Sequence, residues 1–468
     1  MQVIVVGAAR QGTALARYLA LHGAHVVLND SRKPSQLREA RASLAGLPIG
    51  WVLGDHPFRL LDGADLVCPS GGVPLELPFL AEARKRGIPL SNDTQIFLNL
   101  APCPVIGITG SAGKTTTTTL VGRMARAAVE MGGRITNAWV GGNIGNPLID
   151  AVDEMQPTDL AILELSSFQL DLITRSPHIA AVLNVTPNHL DRHGSMAAYI
   201  AAKANILKFQ ESHDIAVLGR DDPGAWDLAG QTKGRLFTFG NTAPRELGSA
   251  TLPGGSGSPE VDVHPEGANL VLRDQDSQKI IMPRAEILLR GEHNLQNVLA
   301  ACAIAAAASL PVEAMRAGIA GFGGVPHRLE FVRNWGGAAW YNDSIATAPE
   351  RALAGIRAFE APIVLLAGGK DKDLPWDDFA QLVHDRVDHV IAFGAMAEMI
   401  AGKLREARGA GGPTVEVCAA LRDAVAAAAR TAAAGDVVLF SPGGTSFDEF
   451  SDFAERGECF KKWVSELP

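Results

Sequence analysis

The stretch that most constrains this chain lies at residues 105–116 and reads VIGITGSAGKTT. Its first four residues predict a buried parallel strand, and the run that opens at Lys114 predicts a helix. Gly110 and Gly113 bracket a tight loop between these two elements. Free backbone N–H groups and the helix dipole at such a junction favour a bound phosphate group. The stretch therefore predicts a phosphate site, and an ordinary strand–turn–helix without a ligand is the alternative.

The loop is a shortened form of the Walker pattern, because Ile108 stands where its first glycine is expected. Lys114 is placed to reach the outer phosphates of a nucleotide, and the Thr115 hydroxyl is placed to hold Mg²⁺. A Lys-Thr-Thr sequence at a glycine-bounded helix start has few structural uses. We therefore favour phosphate binding over a purely structural turn.

Length and charge exclude several classes of protein. The chain has 468 residues, which indicates about three domains. Its 42 basic and 51 acidic residues give a net charge of −9, which argues against a nucleic-acid surface. The five cysteines show no C-x-x-C spacing, which is typical of reduced thiols in a cytosolic protein. The start leads directly into a strand and no apolar run reaches about 18 residues, so we expect no signal peptide and no membrane span.

The N-terminal residues predict a strand–helix–strand unit that could hold a nucleotide. Strands are expected at 2–6 and 25–28, with a glycine turn at 7–12 and Asp30 after the second strand. Ala9 replaces the middle glycine of G-x-G-x-x-G, so a dinucleotide site is only weakly supported. The uridine of a UDP-linked substrate fits equally well, and a plain packing unit without a ligand stays open.

Candidate metal ligands follow two buried strands of the central part. Residues 160–170 are interpreted as one buried strand, and Glu164, at the end of its apolar run, needs a metal or cationic partner because a buried unpaired carboxylate is costly. The strand at 179–185 leads to His189, which we expect at the same sheet edge as a metal ligand; an ordinary loop histidine is the alternative. Helical periodicity alone predicts that Lys203 is a solvated lysine.

A glycine turn at 323–328 leads into a further unit of alternating strands and helices. Strands are expected at 338–344, 363–369, 389–394 and 437–444, which implies a parallel sheet with right-handed crossovers. The predicted fold class is α/β with three domains: a Rossmann-like N-terminal domain at 1–97, a central P-loop domain at 98–324 and a Rossmann-like C-terminal domain at 325–468.

The motifs, taken in order along essentially the whole chain, resemble the Mur ligases of peptidoglycan synthesis. The resemblance is carried by the phosphate loop, GNIG at 142–145, ELSSFQL at 164–170, NVT at 184–186, HLD at 189–191, Tyr199 with Lys203, His293-Asn294 with Asn297, PHR at 326–328, NDS at 342–344 and Ser441-Pro442 with Ser446. The ELSSFQL sequence is specific for the glutamate-adding members.

This resemblance implies an ATP-dependent ligase that phosphorylates a substrate carboxylate and then joins an amine to the acyl phosphate. It implies that glutamate, with the D isomer favoured, is added to UDP-N-acetylmuramoyl-L-alanine. The same reaction with L-glutamate is the alternative, because Ile345 and the Gly443-Gly444-Thr445 sequence depart from the family pattern near the amino-acid pocket. It further implies a cytoplasmic monomer that acts in cell-wall synthesis, cell shape and cell division.

The resemblance also assigns residues to roles. It assigns ATP to Gly110, Ser111, Ala112, Gly113, Lys114, Thr115, Thr116, Asn294, Asn297, Arg328 and Asp343. It assigns the UDP-linked substrate to Asp30, Ser31, Ser70, Asn143, Ser166 and Gln169, and glutamate to Thr347, Lys372, Ser446 and Phe453. It assigns Mg²⁺ to Thr115, Glu164, His189 and Lys203, with Lys203 carbamylated and therefore anionic; the catalytic set is Lys114, Glu164, His189 and Lys203.

Other functions explain fewer of these motifs. A folate-glutamylating ligase does not account for Asp30 or the Ser-Ser-Phe-Gln sequence. An NAD-dependent oxidoreductase rests on the turn at 7–12 alone and leaves Glu164 and His189 unexplained. A non-catalytic P-loop regulator has no need for Lys203 beside an intact Lys114. Phosphate release in the presence of UDP-N-acetylmuramoyl-L-alanine and glutamate distinguishes all of these.

Overall fold

The computed structural model describes residues 1–187, 190–243, 259–289, 291–371, 374–406 and 412–468. His189 and Lys372 lie outside the described residues, as do the side chains of residues 190 and 191. The chain divides into two units, Met1–Phe322 and Gly323–Pro468, and each is described by itself.

The first unit begins with a small parallel sheet whose central strand is the expected apolar run at its N-terminus. In order, its elements are β1 (Gln2–Val6), α1 (Arg10–Leu21), β2 (His25–Asp30), α2 (Arg38–Ser43), β3 (Ile49–Leu53), β4 (Leu66–Pro69), α3 (Pro78–Lys85) and α4 (Asp93–Leu100). The strand order is β3-β2-β1-β4, all parallel. Because β1 is paired on both sides, its four apolar residues are fully buried.

The larger sheet of the first unit carries the phosphate loop. Its elements are β5 (Val105–Thr109), α5 (Lys114–Glu130), β6 (Ala138–Gly142), β7 (Leu160–Glu164), α6 (Ser167–Leu170), β8 (Ile179–Val182), α7 (Leu190–His193), α8 (Met196–Lys208), β9 (Ile215–Gly219), α9 (Pro223–Trp226), β10 (Arg235–Phe239), β11 (Val261–Glu266), β12 (Asn269–Asp274), β13 (Gln278–Pro283), α10 (Glu292–Ala307) and α11 (Val312–Ile319). The order is β13-β12-β11-β10-β9-β8-β5-β7-β6; β12 is antiparallel to its two neighbours, β11 and β13, and the other pairings are parallel. The loop after β5 therefore opens at the centre of the parallel part.

The expectation of one strand over 160–170 is wrong in its second half. Strand β7 stops at Glu164, and Ser166 becomes the N-cap of the short helix α6. The Ser166 hydroxyl accepts from the Gln169 N–H, while the Gln169 side chain accepts from the Ser166 N–H, which is a capping box. The apolar run hides this change because its residues are buried in both the strand and the helix.

The second unit is a mixed sheet with helices on its faces. Its elements are β14 (Glu330–Trp335), β15 (Ala338–Asn342), α12 (Pro349–Arg357), β16 (Ile363–Gly368), α13 (Asp377–Arg386), β17 (His389–Phe393), α14 (Ala397–Glu406), β18 (Thr414–Cys418), α15 (Leu421–Thr431), β19 (Val437–Gly443) and α16 (Phe453–Ser465). The order is β14-β15-β19-β16-β17-β18, with only β14 antiparallel among these described strands. The parallel sheet expected here is confirmed, and its central strand β19 is buried along its whole length.

None of the described helices is both long enough and apolar enough to cross a bilayer.

The boundary between the two units at residues 322 and 323 lies close to the predicted start of the C-terminal domain. The division of the preceding part into domains at residue 97 stays a prediction.

We expect Gly318→Ala to destabilise the first unit. A Cβ at Gly318 in α11 would lie 2.5 Å from Met124 Cγ and 2.7 Å from the Met124 backbone nitrogen in α5. Separating the helices to admit it should cost about 1–3 kcal/mol of unfolding free energy. Gly402 in α14 has no atom within 4 Å of such a Cβ, so Gly402→Ala is the control and should stabilise by roughly 0.5–1 kcal/mol. Urea unfolding measures both, and equal stability of the two variants contradicts the prediction.

Candidate active site

The phosphate loop requires glycine at Gly113, the residue that precedes α5. Its φ is 82°, in the left-handed region, and a Cβ there would lie 2.1 Å from Asn297 Oδ1. Asn297 is buried on α10, and its amide donates to Asn294 Oδ1 over 3.2 Å. The structure thus brings Asn294 and Asn297 together with the loop that the sequence assigned to nucleotide phosphates.

Hydrogen bonds from the neighbouring strand's exit fix the tip of the loop. The Ala112 N–H donates to Asn184 Oδ1 over 2.8 Å, and the Ser111 N–H donates to the Asn184 carbonyl over 3.0 Å. The Ser111 hydroxyl donates to the Thr186 carbonyl over 2.8 Å and lies 3.1 Å from the Tyr199 hydroxyl. Asn184 belongs to the NVT motif, to which the sequence assigned no role. In the structure its side-chain amide holds the tip of the phosphate loop.

Two lysines converge on one backbone carbonyl at the start of the loop. Lys114 Nζ donates to the Gly110 carbonyl over 2.8 Å, and Lys203 Nζ donates to the same oxygen over 2.9 Å. Lys203 is 1% exposed, so the expectation of a solvated lysine from periodicity is wrong. Burial, together with the charge of Lys114, lowers the pKa of Lys203 to about 7. A large fraction of Lys203 is therefore a neutral amine near neutral pH.

Glu164 supplies a buried carboxylate at the end of β7, next to β5. It is 2% exposed, and its Oε1 accepts from the Asn143 amide over 2.9 Å. Its Oε2 is buried and has no hydrogen-bond partner among the described residues. Because an unpaired buried carboxylate is costly, this oxygen fits a cation such as Mg²⁺.

Other proposed metal ligands have a mixed outcome. Thr115 is the second residue of α5, and Lys203 lies beside the same loop as Thr115. His189 lies outside the described residues. Within the described ranges, no group of three His, Cys, Asp or Glu side chains forms a metal site by itself. As a neutral amine, Lys203 offers no oxygen ligand to Mg²⁺. It could join Glu164 as an oxygen ligand only after carbamylation.

Gln169 is a structural anchor in this conformation. It is 1% exposed, and its Oε1 accepts from the Ser166 hydroxyl over 2.9 Å. Its Nε2 donates to the Thr94 hydroxyl over 3.0 Å, and its carbonyl accepts from the Asn92 amide over 2.8 Å. The oxygen and the nitrogen of the Gln169 side-chain amide are therefore both committed to hydrogen bonds within the protein. Ser166, at the start of the helix, is half-buried. Thr94, in α4, and Asn92, its N-cap residue, were not assigned from the sequence.

The first β–α turn forms a separate polar site around Asp30. The Ala8 N–H donates to Asp30 Oδ2 over 2.7 Å, and the Arg32 guanidinium donates to both carboxylate oxygens. Burial raises the pKa of Asp30, but the hydrogen bonds from Arg32 and Ala8 outweigh it and lower the pKa to about 2. Ser31 is exposed, and the buried Ser70 donates to the Gly7 carbonyl over 2.9 Å. Arg32 was not assigned from the sequence.

An open cavity of about 330 Å³ borders this turn. Its walls come from the start of α1 and the segment after β2, and they include Ala8, Arg10, Thr13 and Arg32. Arg10 also donates to the Asn143 carbonyl over 3.0 Å. A ligand in the cavity would therefore lie beside residues that also contact the glycine turn of the central sheet.

In the second unit, Asp343 lies at the end of β15. Its Oδ2 accepts from the Ser441 hydroxyl over 2.7 Å, and its Oδ1 accepts from the Leu329 N–H over 3.2 Å. Burial raises the pKa of Asp343 to about 6 in spite of these hydrogen bonds. Arg328 is exposed, and the adjacent Leu329 has a positive φ of 43°.

The residues proposed for glutamate surround the carboxyl ends of β15 and β19. Ser446 is 2% exposed in the turn after β19, and Thr347 follows the β15 exit. Phe453 begins α16 and presents its ring to His327 in an edge-on contact with centroids 6.0 Å apart. Their proposed companion Lys372 lies outside the described residues.

A glycine-bounded phosphate loop at the centre of a parallel sheet, flanked by a buried carboxylate and a buried lysine, defines the class of P-loop α/β proteins. Three family models match the chain: the MurD-like N-terminal domain of Mur ligases at 1–92, the Mur ligase middle domain at 108–305, and the Mur ligase glutamate ligase domain at 327–444.

Full-length relatives agree with these models. The UDP-N-acetylmuramoylalanine–D-glutamate ligase of Symbiobacterium thermophilum is 42% identical and covers 99% of this chain and 97% of its own length. The enzyme of the same name in Acetivibrio thermocellus is 35% identical, and the match covers 100% of this chain and 96% of that enzyme. The chain therefore belongs to the Mur ligase family, and the resemblance inferred from its motifs is confirmed.

Solved structures support the fold. The UDP-N-acetylmuramate–alanine ligase MurC from Thermotoga maritima matches with a TM-score of 0.53 at 18% identity, covering 100% of both chains. A UDP-N-acetylmuramoyl-L-alanyl-D-glutamate–2,6-diaminopimelate ligase matches with a TM-score of 0.51 at 18% identity, covering 100% of this chain and 93% of its own. The α/β fold class expected from the sequence is confirmed.

We expect Gly113→Ala to abolish nucleotide-phosphate binding. The substitution adds a Cβ at a positive φ and places it against Asn297 Oδ1, so the loop must move. Gly132→Ala is the matched control, because Gly132 also has a positive φ of 73° but has no atom within 4 Å of the added Cβ. Calorimetric titration with ATP measures the effect. Equal ATP affinity in the two variants would show that the contact with Asn297 does not shape the loop.

Proposed function

We propose that this chain joins D-glutamate to UDP-N-acetylmuramoyl-L-alanine, with ATP converted to ADP and phosphate. The observation that carries the proposal is the similarity, over nearly the whole chain, to relatives named UDP-N-acetylmuramoylalanine–D-glutamate ligase. The alternative use of L-glutamate is not favoured, since several such relatives at 35–42% identity carry the D-glutamate name. The product belongs to peptidoglycan synthesis, and we place the enzyme as a monomer in the cytoplasm, where nucleotide substrates are available.

The reaction requires charge neutralisation more than covalent participation by the protein. The substrate carboxylate takes the terminal phosphoryl group of ATP, and the amine of glutamate then displaces phosphate from the acyl phosphate. Residues 110–116 are proposed to hold the phosphates, although the Ser111 and Ala112 N–H groups already donate to Asn184. Lys114 is proposed to exchange its contact with the Gly110 carbonyl for the transferred phosphoryl oxygens. Asn294, Asn297, Arg328 and Asp343 are proposed to position the nucleotide.

Glu164 is the best-supported ligand for the metal, because its Oε2 has no other described partner. Thr115, His189 and a carbamylated Lys203 are proposed to share the metal positions with it. Bound Mg²⁺ would neutralise negative charge on the phosphoryl oxygens. The Asn143 amide orients Glu164 by donating to Oε1 over 2.9 Å.

The surroundings of Lys203 support its proposed carbamylation. The neutral amine attacks the carbon of CO₂, a C–N bond forms, and one amine proton leaves to solvent, so that the cation is replaced by an anionic oxygen ligand. Burial beside Lys114 favours the neutral amine that this step requires. The resulting anion would also relieve the repulsion between the two lysines.

The remaining polar sites match the two organic substrates. Asp30, Ser31 and Ser70 are proposed to bind the uridine end of the UDP-linked substrate, and Asn143, Ser166 and Gln169 its muramoyl end. Gln169 acts there through Ser166, because its own amide is committed to Ser166 and Thr94. Thr347, Lys372, Ser446 and Phe453 are proposed to bind glutamate.

Lys203→Ala should lower turnover by about a hundredfold or more, the loss expected when a charge-stabilising group is removed from an active site. The activity that remains should depend only weakly on Mg²⁺. Lys208→Ala on the same helix is the control, because Lys208 is exposed. Labelling with ¹³CO₂ should give a carbamate NMR signal that the Lys203→Ala protein lacks. Full activity in that variant, or no signal in the active wild type, would contradict the assignment.

A substrate assay tests the function as a whole. Phosphate release with ATP and UDP-N-acetylmuramoyl-L-alanine should require D-glutamate, with L-glutamate, D-glutamine and D-alanine used far less. A site that hydrogen-bonds a carboxylate rejects analogues without one, since its buried polar groups are then unpaired. Preference for L-glutamate would overturn the isomer, and no release with any amino acid would overturn the proposed reaction.

A further inference from the structure

Arg456, in the first turns of α16, is a fully buried charge that no motif assigned. It is 0% exposed, although arginine is rarely buried without a partner. Burial lowers the pKa of Arg456 to about 10, while Asp448 and Glu449 act in the opposite direction. The guanidinium therefore stays positively charged at neutral pH, and the fold must hold that charge away from water.

All the hydrogen bonds of this guanidinium go to neutral oxygens. Its Nε donates to the Ser344 hydroxyl over 3.0 Å, its Nη2 to the Ser344 carbonyl over 2.9 Å, and its Nη1 to the Gly444 carbonyl over 3.1 Å. Asp448 and Glu449 attract this charge, but no carboxylate of the described residues accepts a hydrogen bond from it. A buried cation whose hydrogen-bond partners are all neutral is costly, so its position calls for a function.

A third segment packs directly on the same group. A Cβ at Gly369, which follows β16 and has a φ of +106°, would lie 2.9 Å from Arg456 Nη1. The next residue, Lys370, is joined to Thr445 by two backbone hydrogen bonds of 2.9 Å. Arg456 therefore lies beneath the exits of β15, β16 and β19, which are neighbours in the sheet.

These exits carry the residues proposed for glutamate. Thr347 follows the Ser344 turn, Lys372 follows Gly369 in the chain, and Ser446 follows Gly444. Phe453 is tied to the same centre, because its carbonyl accepts from the Ser344 hydroxyl over 2.7 Å. One guanidinium thus links every segment of the proposed amino-acid pocket that the structure describes.

We propose that Arg456 is the positioning residue of the amino-acid pocket: it holds the three strand exits in register and supplies a buried positive charge that favours a dicarboxylate substrate. The inference rests on the proposed function. It assigns to Arg456 no contact with substrate, because the side chain is enclosed. The charge acts through the Ser344 and Gly444 backbone and through the electrostatic potential of the pocket.

Steady-state kinetics of the full-length protein test this role. Arg456→Lys keeps the charge and loses the planar fork, and Arg456→Met loses both. We expect KM for D-glutamate to rise roughly 10-fold in the first and 100-fold in the second, as for lost hydrogen bonds to a charged group. KM for ATP and for the UDP-linked substrate should stay within about twofold, because Asp343, the residue of the β15 exit assigned to ATP, is held by Ser441 and the Leu329 N–H and not by Arg456. Lys462→Met, at an exposed position of α16, is the control.

Two further results separate the outcomes. Ser344→Ala removes a hydroxyl that bridges Arg456 and Phe453, and it should also raise KM for D-glutamate selectively. If Arg456→Met does not fold, the Lys variant decides alone. Two results overturn the role of Arg456 when the wild type is active. One is an unchanged KM for D-glutamate in Arg456→Lys. The other is an equal rise in that variant of the KM values for D-glutamate, ATP and the UDP-linked substrate. A wild type that ligates no glutamate overturns the proposed function and this inference with it.

Discussion

Unpaired buried charge at the carboxyl ends of parallel strands is the constraint on which the rest of this structure depends. Parallel pairing brings these strand ends to one edge of each sheet, where ligands bind in open α/β folds. The Glu164 carboxylate, Lys203 amine and Arg456 guanidinium are all nearly or fully buried at such edges. Each lacks an opposite charge among its described hydrogen-bond partners. A fold selected for stability alone would avoid them, so they mark the candidate functional regions of the two units.

Neutral hydrogen bonds, rather than ion pairs, give these charges their orientation. The Asn143 amide holds Glu164, the Gly110 carbonyl holds Lys203, and Ser344 holds Arg456. Such partners fix a side chain without pairing it with an opposite charge. The same logic explains Asn184, whose amide oxygen accepts from the Ala112 N–H and so fixes the phosphate loop.

Local pattern was sufficient for elements that are buried on both faces. The runs at 3–6 and 437–440 are continuous and apolar, so strand prediction succeeded there. It failed at 167–170, because hydrophobicity cannot distinguish a buried strand from a buried helical turn. The capping box of Ser166 and Gln169 was present in the sequence as a signal for that turn.

Candidate site residues can be identified from the sequence where a spacing motif exists. They cannot be identified where only tertiary packing brings them together. The phosphate loop was found from its glycines and lysine, whereas Lys203 was assigned through family resemblance because helical periodicity indicated solvent. Arg456 has no motif, since its partners Ser344 and Gly444 are distant in the chain. Its location becomes apparent only when three strand exits are seen together.

The residue after Arg456 shows how tightly the second unit is constrained around this centre. A Cβ at Gly457 would lie 2.1 Å from His327 Nδ1, so glycine is what lets α16 approach the segment that contains Arg328. That segment has two non-glycine residues with positive φ, His327 at 63° and Leu329 at 43°, and such backbone persists only where surrounding contacts hold it. Adjacent positions of one helix therefore support different groups: Arg456 holds the exits assigned to glutamate, and Gly457 admits the histidine beside the arginine assigned to ATP. Because both residues depend on the position of α16, a shift of this helix would weaken the binding of ATP and of glutamate together. A change confined to the Arg456 guanidinium would weaken the binding of glutamate first.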